Sequence, residues 1–221
     1  MAQSSLRDRV LAQAAETPST TRTKARRIAV GLIAASITVA ITVFELVGGL
    51  GHSHTRPLSI TIAIAAGWIV VSAVLTWLVL GRGGSTMARR PILLIVAALA
   101  TPVLVYLWLH LFHGAYPEPP FKIGYRCLVY TLLMSALPLG AFLALRRAVE
   151  PRYPAALGAA AGAACASWGG ALIDLWCPLT DPLHVLVGHV APLAGAIAVG
   201  AVVGRFTLGV RGLREEKKRN E

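Results

Sequence analysis

The chain has 221 residues, of which 56% are hydrophobic and 14% are charged, and its formal net charge is +11. Soluble domains carry roughly 25% charged residues, so this composition leaves too little polar surface for a water-soluble globule. It excludes an intrinsically disordered chain, a soluble nucleic-acid binder and a small disulfide framework, for which three cysteines are too few.

Six apolar runs follow one another along the chain, and each is long enough to cross a bilayer, which takes about 20 helical residues. The runs are continuous rather than alternating, which favours helices over the strands of a membrane barrel. The sequence therefore predicts an all-α integral membrane protein, a bundle of six transmembrane helices. The predicted spans are residues 28–50, 58–80, 92–113, 122–145, 154–177 and 183–208.

Lysine and arginine are distributed unevenly between the two ends of these runs. Of the 21 basic residues, 18 lie in the N-terminal segment, the second and fourth connections and the C-terminal end, and 3 lie on the opposite side. An excess of this kind marks the cytoplasmic side of a membrane protein. We therefore predict that both termini are cytoplasmic, and that the positive charge serves topology and contact with the lipid bilayer rather than direct nucleic-acid binding.

Two segments flank the predicted membrane domain of residues 28–208: a leader of residues 1–27 and a charged tail of residues 209–221. The leader can form a short amphipathic helix. Its apolar stripe lacks the Trp or Phe that a membrane-surface helix favours, so we predict that it docks on a protein partner. The stripe consists of Leu6, Val10, Leu11 and Ala14.

Pairs of glycines four residues apart occur in the last two predicted spans, at Gly158 and Gly162 and at Gly200 and Gly204. Small residues at this spacing let helices approach each other closely in a membrane. The pattern predicts close packing inside the bundle, with a homodimer face as the alternative.

All six histidines and two of the three cysteines fall in the outer half of the predicted bundle or in its outer loops. Ionisable groups at membrane depth are costly and mark functional sites. Thiolate and imidazole together suit a transition metal such as zinc, copper or cadmium. The candidate metal ligands are His110, His113, Cys177 and His184. His184 and His189 are five residues apart, about 140° round an α-helix, so we predict that they do not share a face.

The outer cysteines have two further interpretations. If the fourth and fifth spans are antiparallel neighbours, Cys127 lies opposite about residue 172, which brings a disulfide with Cys177 within reach. Alternatively, the cysteines pack as small hydrophobic side chains and the histidines anchor helix ends at the interface. Arg126 and Asp174 lie at the same level and can form an interhelical ion pair.

Short motifs in the second half of the chain resemble a known family. The fourth span opens with the sequence GYRCL at 124–128, and the fifth ends with DLWCP at 174–178. This arrangement resembles the NrsF family of six-span membrane anti-sigma factors, which have a Cys near the start of the fourth span and a Cys-Pro at the end of the fifth. The leader sequence LRDRVL at 6–11 and the spacing of His184 from Gly188-His189 are similar to the myxobacterial members.

The resemblance implies a negative regulator in the bacterial inner membrane that holds an extracytoplasmic-function sigma factor and releases it on redox, metal or light stress. The family's sensing role falls on the two cysteines of these motifs. The chain has Trp176 where the family usually has a His before Cys-Pro. His184 or His189 can take the place of that missing histidine. The implied signal-sensing set is Cys127, Cys177, His184, His189, Asp174 and Arg126.

Two other classes of function stay open. A small transporter or channel would use Glu45, Asp174 and the outer histidines, and a haem- or metal-binding membrane protein would use His110 and His189 as axial ligands. Enzyme motifs such as H-E-x-x-H and G-x-S-x-G do not occur in the sequence, so we predict that the protein is not an enzyme. Apart from haem in the second alternative, a transition metal is the cofactor that the sequence suggests.

Overall fold

A computed structural model describes residues 22–46, 48, 57–80, 91–118, 120–146 and 153–208. Within these residues the chain forms six helices and no strand, so the all-helical prediction is confirmed. The helices are α1 (Arg22–Leu46), α2 (Leu58–Leu80), α3 (Pro91–Phe112), α4 (Tyr125–Arg146), α5 (Pro154–Trp176) and α6 (Pro182–Thr207). The predicted docking stripe of the leader and the charged tail lie outside the described residues.

Apolar run length predicted the helix bounds well, with α2 matching its predicted span at both ends and the others lying within about two turns. Among the described residues, four helices are long and apolar enough to cross a membrane: α2, α4, α5 and α6. Helices α1 and α3 contribute shorter apolar stretches, Ala34–Leu46 and Pro102–Phe112.

Helix α5 lies at the centre of the bundle. It packs against α6, α2 and α4, while α1 packs mainly on α4 and α3 packs on α2. The apolar stretch of α5 is 72% buried, compared with 39% for those of α4 and α6. Its sequence is rich in alanine and glycine, and side chains this small let three neighbouring helices approach one backbone. Between membrane helices, such close packing replaces the hydrophobic effect as a source of association.

The glycine pairs predicted from the sequence face each other between α5 and α6. A Cβ atom at Gly158 would lie 2.0 Å from the carbonyl oxygen of Gly200, and one at Gly162 would lie 2.1 Å from that of Ala196. Gly204 likewise lies against Pro154 and Gly158. We call Gly158, Gly162, Gly200 and Gly204 the glycine seam. The seam packs two helices of the same chain, which is the first of the two interpretations of this pattern.

Hydrogen bonds between helices support this packing on the other sides of the bundle. The Ser72 hydroxyl donates to the carbonyl oxygen of Ala164 at 2.8 Å, which joins α2 to α5. At the far end, Nε of Arg146 donates to the carbonyl oxygen of Val79 at 2.7 Å, which joins α4 to α2. In lipid, polar groups must find partners of this kind within the protein.

Candidate functional site

Two cysteines and two histidines meet at one end of the bundle. One ligand atom from each of Cys127, Cys177, His184 and His189 lies within 4.8 Å of all the others. The four residues are buried, with exposed fractions of 2%, 1%, 2% and 9%. We call them the Cys–His cluster. It joins the first turn of α4, the end of α5 and the first two turns of α6.

The distances within the cluster are short but not covalent. The Sγ atoms of Cys127 and Cys177 lie 3.6 Å apart, and no disulfide joins them. Nε2 of His184 lies 3.5 Å from Sγ of Cys127 and 3.1 Å from Sγ of Cys177. The two thiols and this imidazole therefore form a triangle of polarisable atoms around one point.

Two glycines let α6 approach the start of α4. Gly124 has a φ of +90°, and a Cβ there would lie 2.7 Å from the carbonyl oxygen of His184. A Cβ at Gly188 would lie 2.9 Å from Cβ of Cys127. Any side chain at either position would separate the helices, so these glycines bring His184 against Cys127.

Cys177 reaches the cluster because the chain leaves the helix at this residue. It caps α5 in an extended conformation, with φ −80° and ψ 120°. The short connection to α6 is held by Glu118, whose carboxylate accepts hydrogen bonds from the backbone N–H of Thr180, at 3.1 Å, and from its hydroxyl. Asp181 then caps α6 by accepting from the N–H groups of Leu183 and His184, at 2.9 and 3.2 Å.

The prediction that His184 and His189 do not share a face is wrong. Helix α6 contains a π-helical turn at Leu186–Val190, whose hydrogen bonds run between residues five apart. Residues at i and i+5 therefore lie nearly above one another, and the two imidazole rings are 5.7 Å apart. Pro192 follows this turn; it has no N–H and its ring clashes with the carbonyl four residues earlier, which explains why the helix widens here.

Both histidines are oriented from behind by their Nδ1 atoms. Nδ1 of His184 lies 2.6 Å from the carbonyl oxygen of Lys122, which can only accept, so Nδ1 carries the proton. Nδ1 of His189 lies 2.8 Å from a carboxylate oxygen of Asp174. The other oxygen of Asp174 accepts from the indole N–H of Trp68 at 2.7 Å. Nε2 of His189 is buried and has no hydrogen-bond partner within the described part of the chain.

The expected ion pair between Arg126 and Asp174 is not formed. Asp174 is 4% exposed and faces Trp68 and His189. Arg126 is exposed on α4, beside Cys127 in sequence but about 100° round the helix from it. Asp174 therefore belongs to the support of the cluster, whereas Arg126 lies at its edge.

Two of the four predicted metal ligands, Cys177 and His184, lie in the cluster, and His110 and His113 do not. His110 is exposed and stacks on Tyr106 with ring centres 5.6 Å apart. The inward face of α3 carries Trp108 and Phe112, which are 2% and 0% exposed, so a residue midway between them points away from the bundle. His113 and Glu45 are also exposed, and His52 and His54 lie outside the described residues.

A cavity of about 420 Å³ opens beside the cluster. Cys127, Cys177 and His184 line its inner part, and the exposed side chains of Lys122 and Arg126 line its rim. The two thiols therefore face a space large enough for a small solute. The cavity is lined by both thiols and by the imidazole of His184, and His189 completes the cluster behind them, so the site can hold a metal ion or undergo thiol oxidation.

A comparison with family models matches residues 11–209 of the chain to the family described as negative regulator of sigma F, NrsF. No curated protein and no solved structure gives a significant match.

Proposed function

The chain belongs to the NrsF family of negative regulators of sigma F, and from this membership we propose that it is a membrane-anchored anti-sigma factor. The observation that carries the proposal is the family match, which runs from the leader through all six helices. The family name states a regulatory role with a sigma factor as partner, not an enzymatic one.

The finer proposal is that the protein holds an extracytoplasmic-function sigma factor at the bacterial inner membrane and releases it under stress. In this proposal the chain crosses the membrane six times, so both termini lie on the same side, and that side is the cytoplasm, where the sigma factor is. The distribution of basic residues, 18 on one side and 3 on the other, supports this topology. The leader is the cytoplasmic segment with an apolar stripe, so it is the proposed docking site.

The Cys–His cluster is the proposed sensor. It lies at the end of the bundle that this topology places outside the cytoplasm, and a cavity large enough for small solutes opens beside it. The cluster and its supporting hydrogen bonds draw on α2, α4, α5 and α6. We infer that a chemical change at the thiols alters the packing of these four helices. Helix α1, which follows the leader and packs on α4, then provides the route from the outer side to the leader.

The docking proposal predicts that Leu6→Asp combined with Leu11→Asp abolishes sigma-factor retention without preventing membrane insertion. Burying a leucine contributes roughly 1.5–3 kcal/mol, and two buried charges add a desolvation cost, so retention should fall more than about tenfold. Co-purification of the sigma factor from solubilised membranes measures this. The double variant Ser5→Asp, Ala12→Asp adds the same charge on the face opposite the stripe and should retain the partner. Retention of the sigma factor by the stripe variant at the wild-type level would exclude the stripe as docking site.

The topology predicts the behaviour of reporter fusions. A reporter fused after Glu221 should be active in the cytoplasm, and one inserted in residues 114–121 should be active in the periplasm. Paired cytoplasmic and periplasmic reporters at both positions measure this, and a periplasmic C-terminus would overturn the six-span arrangement.

A further inference from the structure

We propose that the Cys–His cluster is a four-coordinate site for a divalent ion of the zinc group, Zn²⁺ or Cd²⁺. The ligand atoms are Sγ of Cys127 and Cys177 and Nε2 of His184 and His189. The regulatory meaning of this site rests on the sensor role proposed above, but metal binding itself can be measured without the sigma factor.

The distances among three of the four ligand atoms fit a tetrahedral ion, and the fourth atom, Nε2 of His189, lies within 4.8 Å of the others. With bonds of about 2.3 Å to sulfur and about 2.05 Å to nitrogen, tetrahedral angles place two sulfurs about 3.8 Å apart, and a sulfur and a nitrogen about 3.5 Å apart. The sulfurs of Cys127 and Cys177 are 3.6 Å apart. Nε2 of His184 lies 3.5 and 3.1 Å from them. A disulfide would instead need the sulfurs at about 2.05 Å.

The histidines are oriented as metal ligands are. Metal-binding imidazoles commonly donate the N–H of their second nitrogen to a carbonyl or carboxylate, which leaves the lone pair of the first nitrogen for the metal. His184 does this with the carbonyl oxygen of Lys122, and His189 does it with Asp174, which Trp68 holds in turn. The buried Nε2 of His189 has no hydrogen-bond partner among the described residues. Coordination of the metal by its lone pair would satisfy this buried nitrogen.

The donor set selects the class of ion. Two thiolates and two imidazoles suit zinc-group ions, whereas magnesium and calcium require oxygen ligands. A divalent ion also neutralises both thiolate charges, which matters because uncompensated charge is costly at a buried site. A monovalent copper ion would leave one negative charge on the same ligands.

The test uses the full-length protein in detergent, reduced and stripped with a chelator, and titrated with Co²⁺ as a spectroscopic probe and then with Zn²⁺ and Cd²⁺. We expect one equivalent of Co²⁺ to give the intense visible bands of a tetrahedral ion with thiolate charge transfer, and Zn²⁺ to displace it. Absence of stoichiometric binding by the folded wild-type protein, or an octahedral Co²⁺ spectrum, would overturn the proposal.

Single variants assign the ligands. His184→Ala and His189→Ala should each lower the affinity at least a hundredfold and change the Co²⁺ spectrum, while His110→Ala and Cys165→Ser, the same residue types outside the cluster, should bind like wild type. Asp174→Asn should lower affinity about 10- to 100-fold while keeping the tetrahedral spectrum, because Asp174 positions a ligand without being one. Equal affinity in all these variants would contradict the assignment.

The same preparations separate this inference from the proposed function. Sigma-factor retention by a wild-type protein that binds no metal would refute the metal site and leave the anti-sigma role standing. Stoichiometric metal binding without retention of any sigma factor would do the reverse. Air can oxidise Cys127 and Cys177 to a disulfide that excludes Co²⁺. Recovery of Co²⁺ binding after reduction supports the site, whereas a failure to bind after full reduction refutes it.

Discussion

Replacing Cys177 by serine is expected to abolish the response of sigma-dependent transcription to stress while membrane levels of the protein stay near those of wild type. Serine keeps the size and much of the hydrogen bonding of cysteine. Its hydroxyl, however, does not ionise near neutral pH and is not a soft metal ligand. Cys127→Ser should behave in the same way, since both sulfurs contact Nε2 of His184. The promoter should be unresponsive or constitutively active.

A promoter reporter measured with and without cadmium or an oxidant, together with immunoblots of membranes, checks this result. Cys165→Ser is the matched control, because Cys165 is as buried as Cys127, at 2% exposed, but packs in an apolar cluster with Leu157 and Ala161. It should respond like wild type. Normal induction in both outer-cysteine variants would refute the sensor proposal.

The second large effect is expected at the glycine seam. Gly200→Ala should destabilise the protein by about 1–3 kcal/mol or more, because its Cβ would lie 2.2 Å from the carbonyl oxygen of Gly158. The obstructing atom belongs to the backbone of α5 and cannot move away by a rotamer change, so the two helices must separate.

Gly195, five residues earlier and on a different face of the same helix, is the control for this substitution. A Cβ there would have nothing within 4 Å, so Gly195→Ala should be neutral or stabilising by up to about 1 kcal/mol through helix propensity. Thermal unfolding of the detergent-solubilised variants compares the two. Equal melting temperatures would show that the seam does not hold α5 and α6 together.

The sequence predicted the helices because a membrane-spanning helix must be apolar over its whole length. It also predicted the level at which α4 and α5 meet. The Ser135 hydroxyl donates to the carbonyl of Cys165, and Gly169 lies against the carbonyl of Thr131, so Cys127 lies opposite Ile173, one residue from the predicted position. Fixed helix rise and a short connection are sufficient to give this register.

The composition of the site was less predictable. The five-residue spacing of His184 and His189 was interpreted with α-helical geometry, which puts them on different faces. In the sequence, only Gly188 and Pro192 indicate that the helix widens between them. The partners of Asp174 depend on tertiary packing. Trp68 is 106 residues from Asp174 in sequence. It lies in an apolar helix whose sequence does not indicate that this tryptophan has a polar partner. The sequence predicted a pair of Asp174 with Arg126 because both lie at the same depth in the predicted bundle. In the structure the Arg126 side chain lies on the outward face of α4.

The positions of the cluster residues along the chain have a consequence for biosynthesis. The support begins with Trp68 and the carbonyl of Lys122, continues through Cys127, and is completed by His189 in the final helix. A chain inserted from its N-terminus therefore holds an incomplete set of buried polar groups until α6 enters the membrane and packs along the glycine seam. In a truncated or partly inserted chain, Asp174 lacks its partner His189. The complete cluster can therefore form only when all six helices have assembled.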